Sequence, residues 1–238
     1  MIKRFRMIAG PNGSGKSTLR AWLARDYAVN FYHFINADDL NAEIVKSMCC
    51  FTPFPVENDE LLEFVEASTY GEAVKDLFRA SKIKVDGECI RFNPAAVNTY
   101  SVALIANFLQ TGHMRRGLSF SQETVFSHPS KIEALKAAYE CGYRTYLYYV
   151  ATEDPRLNAC RVADRVANGG HDVPLEKIIS RYSRSLDQIR TAFPYLSRAF
   201  FFDNSSDTMR YIAHWNSSEG LVLQVPETQL PSWFSFVR

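Results

Sequence analysis

The chain has 238 residues, 47% hydrophobic and 22% charged, the balance of an ordinary globular protein rather than a disordered one. Its 27 Lys and Arg nearly cancel its 26 Asp and Glu, and a net charge of +1 gives no broad attraction to nucleic acid or to a membrane surface. The apolar run near the start is too short for a signal peptide and no 18 consecutive residues are apolar, so neither secretion by that route nor a membrane span is predicted, and a cytoplasmic protein is the expectation.

Residues 5–9 form a short apolar run that meets a Gly-rich turn, and 17–28 continue with helical character: strand, loop, helix. A second strand is predicted over 31–35, ending at Asn36-Ala37-Asp38-Asp39, where an Asp or Asn caps a helix reaching about Met48. Between 57 and 82 the apolar residues recur at spacings of three and four, as on one helix face. Alternating stretches around Asp86-Gly87 predict a tight hairpin over 83–90, and a further helix follows over 94–114. The span 52–115 therefore reads as a helix-hairpin-helix insertion, with no linker to isolate it.

Strand 118–122 comes next, ending at Glu123-Thr124, then helix 130–140 stopped by Gly142, strand 143–150 and helix 155–167. After the loop Asn168-Gly169-Gly170-His171, Pro174 suits the first turn of a helix reaching about Thr191. A last core strand over 199–202 closes on Asp203-Asn204-Ser205, and 211–215 with 221–225 make a C-terminal hairpin within a tail spanning 206–238. Alternating strands and helices predict an α/β fold: a mostly parallel central sheet with helices on both faces, whose ligands bind at the carboxyl ends of the strands. The polar clusters at 10–17, 36–39, 123–128 and 203–205 lie there.

Cysteines 49, 50, 89, 141 and 160 contain no CxxC and no neighbouring His at metal-ligand spacing, so reduced thiols rather than a zinc site or a disulfide framework are expected. The arginines are more informative. From Ala151 onward there are nine of them against one lysine, Lys177, and the guanidinium fork suits phosphate oxygens better than generic solvation requires.

Gly10-Pro11-Asn12-Gly13-Ser14-Gly15-Lys16-Ser17 matches GxxxxGK[ST] between a strand and a helix, the context in which this motif is a phosphate-binding P-loop. Backbone N–H groups and the helix N-terminus would cradle the phosphates of ATP or GTP, Lys16 would reach the β and γ phosphates, and Ser17 would bind Mg²⁺. Phosphoryl transfer needs a base beside the acceptor and positive charge around the group in flight. Asp38 or Asp39 is the candidate base, the other serving as helix cap. Glu123 could order Mg²⁺ through water, or with Thr124 hold an acceptor. Asn158, Arg161 and Arg165 share one helix face and Arg181 with Arg184 repeat the spacing on the next, so 155–191 forms a helical lid with cationic faces. His128 lies in a motif loop open to a substrate role, whereas His33, His113 and His214 are read as structural or surface residues.

With these motifs the chain resembles the zeta-toxin family of P-loop kinases. The segments that carry the resemblance are GPNGSGKST at 10–18, NADDL at 36–40, SFSQETVFSHPSK at 119–131, GYRTYLYYVATEDP at 142–155, RVADRVANGGHDVP at 161–174, RYSRSL at 181–186 and FDNS at 202–205. It implies a P-loop NTPase fold of the nucleotide and small-molecule kinase type over 1–238, and ATP-dependent phosphorylation of UDP-N-acetylglucosamine or a related UDP-sugar. Residues 10–18, Thr18 included, would hold ATP; Lys16 and Ser17 would meet ATP and Mg²⁺; and Asp38 would be the base. Glu123 and Thr124 would hold the substrate, Arg165 and Arg181 the phosphates, with Arg161 competing for the first place. Asp203 and Asn204 would line the adenine pocket, and the 52–115 insertion would sit by the acceptor. A separate antitoxin chain is an implied partner. Competing readings are a kinase for another nucleotide or metabolite such as NAD, and a nucleotide-dependent binding module without transfer.

Overall fold

The computed structural model describes residues 2–170 and 172–238, without the side chains of Ser81 and Lys82. His171 of the predicted lid loop thus lies outside the described residues. In chain order the elements are β1 (Arg4–Ala9), α1 (Lys16–Asp26), β2 (His33–Ile35), α2 (Ala37–Ser47), β3 (Cys49–Phe51), α3 (Asn58–Ala67), α4 (Glu72–Leu77), β4 (Ile83–Asp86), β5 (Cys89–Phe92), α5 (Thr99–Arg115), β6 (Phe120–Thr124), α6 (Ser130–Glu140), β7 (Arg144–Ala151), α7 (Pro155–Ala167), α8 (Leu175–Asp187), α9 (Ile189–Ala192), β8 (Arg198–Asp203), β9 (Arg210–Asn216) and β10 (Gly220–Leu223). They form two compact units, 2–34 with 119–238, and Ile35–Leu118.

The first unit is built on a seven-stranded sheet in the order β10-β9-β8-β7-β1-β6-β2. Strands β8, β7, β1 and β6 pair in parallel, while β9 and β10 add an antiparallel edge, so the predicted mostly parallel sheet and C-terminal hairpin are both present. Period-two alternation gives each strand a different partner on each face. On one face Ile8, Tyr148, Val150 and Phe202 pack under α1 through Leu19 and Leu23. On the other, Tyr149 packs its ring against Phe126 and Trp233, and Phe201 packs against Phe193 and Phe234.

The C-terminal tail closes this second face. Trp233 is 2% exposed and donates from Nε1 to the buried Asp203 carboxylate at 3.1 Å. Ser205 Oγ at 2.6 Å and an Arg210 guanidinium N–H at 2.9 Å complete the donors to that carboxylate. Three donors offset the desolvation that a buried carboxylate otherwise suffers.

In the second unit β3, β5 and β4 form a small antiparallel sheet, with the predicted Asp86-Gly87 turn joining β4 to β5. Three expectations change here. The single helix face over 57–82 is two helices, because Ser68 leaves helical geometry with φ −73° and ψ 156° and Gly71 opens α4 with φ −64° and ψ 157°. The helix expected from 94 starts only at Thr99, where Asn98 and Ser101 form a reciprocal capping box. Cysteines are not all thiols: Met48 ends α2 in left-handed geometry, Cys49 enters the strand β3, and a disulfide joins it to Cys89 on β5. That pairing is set by strand register across 40 residues, which no local pattern encodes.

Truncating Trp233 to Ala removes both the buried ring and a donor to Asp203. The expected loss is roughly 3–5 kcal/mol of stability, measured by urea unfolding.

Candidate active site

The loop after β1 runs from Gly10 to Ser17 at the carboxyl end of the parallel sheet. Gly15 stands at the N-cap of α1 with φ 97°, and no side chain caps this helix, so the first-turn N–H groups remain directed outward, as anion binding requires. Gly13, with φ 73°, lies so close to α7 that a Cβ there would overlap the Asn158 backbone, and a Cβ on Gly15 would overlap the Asn204 amide. Only glycine satisfies both the left-handed conformation and the close approach.

Two amides hold this loop. Asn158, fully buried on α7, donates from Nδ2 to the Asn12 carbonyl at 2.7 Å, while its Oδ1 receives the Thr152 hydroxyl. Asn204 donates from Nδ2 to the Ser14 carbonyl at 2.9 Å, and its own backbone N–H is fixed on Ala151 at 2.8 Å. With carbonyls of the loop tied back by these side chains, the alternate face of the loop is left to its N–H groups. Lys16 is 9% exposed and donates from Nζ to the Pro11 carbonyl at 2.9 Å, lying folded along the loop. Thr18 is exposed beside Ser17 on the first turn.

Glu123 reaches the same end of the sheet because β6 pairs with β1 in register Ile8↔Glu123 and Ala9↔Thr124. The Ser17 hydroxyl donates to its carboxylate at 3.3 and 3.4 Å. A hydroxyl beside a carboxylate is a set of hard oxygen donors that suits Mg²⁺. Among the described residues no group of three or more His, Cys, Asp and Glu side chains could hold a metal alone, so an ion here would take its remaining ligands from elsewhere.

The predicted lid residues divide. Asn158 is committed to the loop. Arg161 donates to the Asn204 carbonyl at 2.9 Å, which ties the same helix to the strand end of β8. Arg165 is exposed one turn further on, and Arg181 on α8 is half-buried without a hydrogen bond or ion pair among the described residues. Val162, Val173 and Ile178 pack α7 on α8. Tyr182 anchors α8 by donating to the Thr152 carbonyl at 2.6 Å; burial, and then the carboxylates of Glu153, Asp154 and Asp203, push its phenol up, so it stays a donor at neutral pH.

Other sequence candidates have structural partners. The Thr124 hydroxyl accepts from the Phe126 N–H at 3.2 Å, and His128 Nδ1 accepts from the Ser130 N–H at 3.2 Å, shaping the turn into α6. The Asp203 carboxylate is engaged by Trp233, Ser205 and Arg210. Asp38 and Asp39 are exposed in the first turn of α2, in the second unit, and the Asn36 side chain, not an Asp, caps that helix by accepting from the Asp38 N–H at 2.9 Å.

Sequence reasoning overlooked Lys131. Its ammonium is pulled below the ordinary lysine value by burial, and it forms no ion pair among the described residues. The signal available was its position in the first turn of the helix that follows the Glu123-Thr124 strand end.

No protein-family model and no curated protein matches the chain in sequence. Solved structures do. A complex of AvrRxo1-ORF1 with AvrRxo1-ORF2 solved with ATP matches with a TM-score of 0.59 and 13% identity, over 94% of this chain and 61% of that one. The same complex with sulphate ions gives 0.55 at the same identity and coverage. The PezAT chromosomal toxin-antitoxin system of Streptococcus pneumoniae gives 0.50 at 13% identity, over 87% of this chain and 72% of that one. This chain shares the fold of these structures, with a mostly parallel central sheet among helices. It spans about three fifths of the AvrRxo1 complex chain that it matches. In this fold the loop geometry depends on Gly13, and Gly13→Ala combines an overlap with a left-handed strain of about 1–3 kcal/mol. Nucleotide affinity should fall at least about tenfold, read by titration with a fluorescent ATP analogue.

Proposed function

We propose that the chain is an ATP- and Mg²⁺-dependent kinase that phosphorylates a hydroxyl of a nucleotide-like acceptor, UDP-N-acetylglucosamine or a related UDP-sugar. The observation that carries the reading is a P-loop whose carbonyls are held by Asn158 and Asn204, with a Glu123 carboxylate on the Ser17 hydroxyl. The ATP present in the AvrRxo1 complex supports ATP as donor, and the zeta-toxin resemblance supports the acceptor.

The residues would divide the work as follows. Loop N–H groups and Lys16 bind the phosphates, Lys16 exchanging the Pro11 carbonyl for phosphate oxygens. Ser17 and Glu123 would hold Mg²⁺, which when bound neutralises charge on the β and γ phosphates. Arg165 and Arg181, with Arg161 beside them, stabilise charge on the equatorial oxygens during transfer. Asp38 accepts the proton of the acceptor hydroxyl as the new O–P bond forms and the bond from the γ-phosphorus to the β,γ-bridging oxygen breaks, its electron pair leaving with ADP, and Glu123 and Thr124 orient the acceptor. Asn204 would border the adenine, and Asp203 would fix that segment through the tail. His128 would line the acceptor side.

No helix among the described residues is long and apolar enough to cross a membrane. Both substrates of the proposed reaction are cytoplasmic, and we assign the chain there. The neighbours are complexes or toxin-antitoxin systems, which supports a separate antitoxin chain as partner.

Incubation with γ-labelled ATP and a panel of UDP-sugars, NAD and no acceptor tests the reading. Label in a UDP-sugar is the expected result; label in NAD alone, or in no product, would overturn it. Asp38→Asn should lower transfer by about 10²–10⁴-fold with ATP affinity nearly unchanged. Lys16→Met should weaken ATP binding about 10–100-fold, from the loss of charge-assisted bonds worth about 1.5–3 kcal/mol.

A further inference from the structure

The tie between Asn158 and the Asn12 carbonyl depends on which way round the amide stands. A carboxamide has two orientations of nearly the same shape, which exchange a donor for an acceptor. With Nδ2 toward the Asn12 carbonyl, Oδ1 faces inward. With the amide turned over, Oδ1 would oppose the Asn12 carbonyl oxygen, acceptor against acceptor, and the loop would lose its hold at this point. Asn158 is fully buried, so bulk water does not choose between the two. The choice lies with the group that meets the inward atom.

That group is Thr152. It follows the last residue of β7, is itself fully buried, and donates its hydroxyl to Asn158 Oδ1. The alternative acceptor for this hydroxyl, the Asp154 carbonyl, stands at 3.4 Å. A hydroxyl accepts from an amide as readily as it donates to one, but the Asn12 carbonyl can only accept, and this removes the freedom. Donor order therefore runs one way, from the Thr152 hydroxyl to Oδ1 and from Nδ2 to the Asn12 carbonyl. The Asn12 side chain does not replace this hold, since its own Oδ1 is buried without a hydrogen-bond partner among the described residues. At the next position the Asn158 carbonyl oxygen lies 2.4 Å from where a Cβ on Gly13 would stand, so residue 158 sets the course of the loop over two successive residues.

Thr152 is in turn fixed from outside the loop. Tyr182 on α8 donates to its carbonyl at 2.6 Å and stands 3.4 Å from the Glu153 carbonyl. On either side of it along the chain, the Ala151 carbonyl accepts the Asn204 N–H at 2.8 Å, and the Glu153 N–H donates to Ser205 Oγ at 2.8 Å. Residues 151–153 thus join β7, α7, α8 and the chain that follows β8. A valine at 152 would have the shape of threonine without the donor. It would leave Asn158 Oδ1 buried and unpaired, or let the amide turn away from Asn12.

We propose that Thr152 is a positioning residue for the nucleotide site: its hydroxyl, held in place by Tyr182 of α8, commits the Asn158 amide to the Asn12 carbonyl and so sets the affinity of the loop for ATP. The proposal rests on the reading of this loop as an ATP site and adds to it a control exerted from α8.

Three measurements on the full chain test it: titration with a fluorescent ATP analogue, hydrogen exchange of the unliganded loop over 12–15, and the unfolding midpoint of each variant. Thr152→Val should weaken the analogue about tenfold and speed exchange in the loop, whereas Thr152→Ser, which keeps the hydroxyl, should stay within about twofold of the unaltered chain. Tyr182→Phe, which changes no side chain at the loop, should weaken binding about threefold and keeps the test open where Thr152→Val does not fold. Because Thr152 acts through Asn158, adding Thr152→Val to Asn158→Ala should cost no further affinity. A threonine with a merely structural role would lower the unfolding midpoint and leave affinity and loop exchange unchanged. That result, unchanged affinity in Tyr182→Phe, an equal loss in Thr152→Ser, or additive losses in the double variant would each overturn the proposal. Failure of the ATP reading looks different: the unaltered chain would not bind the analogue, and loop exchange in Thr152→Val would still decide whether Thr152 positions the loop.

Discussion

Two side-chain amides decide the shape of the phosphate loop. Asn158 and Asn204 come from different elements, a helix and a strand end, yet each takes one loop carbonyl, from Asn12 and Ser14. A Gly-rich loop has many conformations available to it, and ordering one costs backbone entropy. Tying carbonyls back supplies part of the compensating energy and selects the conformer whose N–H groups stay available. The glycines then make the contact possible, since Gly13 and Gly15 touch the same two asparagines.

That dependence runs outward through the first unit. Asn158 is placed by α7, whose start is fixed by Asp154 as N-cap, and α7 is packed on α8 by Val162, Val173 and Ile178. Asn204 is placed by β8, whose end is fixed by Asp203, Trp233 and Arg210. The C-terminal tail is therefore coupled to the loop through one buried carboxylate and the residue after it. The two arginine-bearing helices are likewise not freely hinged: α7 is pinned at Asn158 and Arg161, and α8 at Tyr182.

Positive charge stands at both ends of the sheet. At the carboxyl end, Lys16 lies folded along the glycine-rich loop and Arg161 is tied to the segment that follows β8. At the amino end, Arg4, Arg6, Arg144 and Arg198 stand in strand rows with rings between them. A net charge of +1 conceals both, because the 26 carboxylates are distributed elsewhere, many in surface pairs worth little individually.

Much of this was legible beforehand. The strand, glycine-rich loop and helix at the start, the alternation of strands and helices, the Asp86-Gly87 turn and the 130–140 and 155–167 helices are local signals, and local sterics and periodicity are enough to fix them. The structure was needed wherever two distant segments had to meet. Asn158 reads as one more polar residue on an arginine face until the fold brings Asn12 to it; Cys49 reads as a helix end until β5 brings Cys89 within disulfide reach; Asp203 reads as a loop carboxylate until the tail delivers Trp233. The four-arginine patch is likewise invisible in a chain where its members lie at 4, 6, 144 and 198. Sequence by itself determined which segments are strands, helices and glycine-rich loop, because those follow from nearest-neighbour backbone preferences and burial periodicity. Tertiary structure alone decided which side chains hold the loop and which charges remain unpaired, because hydrogen bonds and ion pairs depend on positions in space that only strand register and helix packing set.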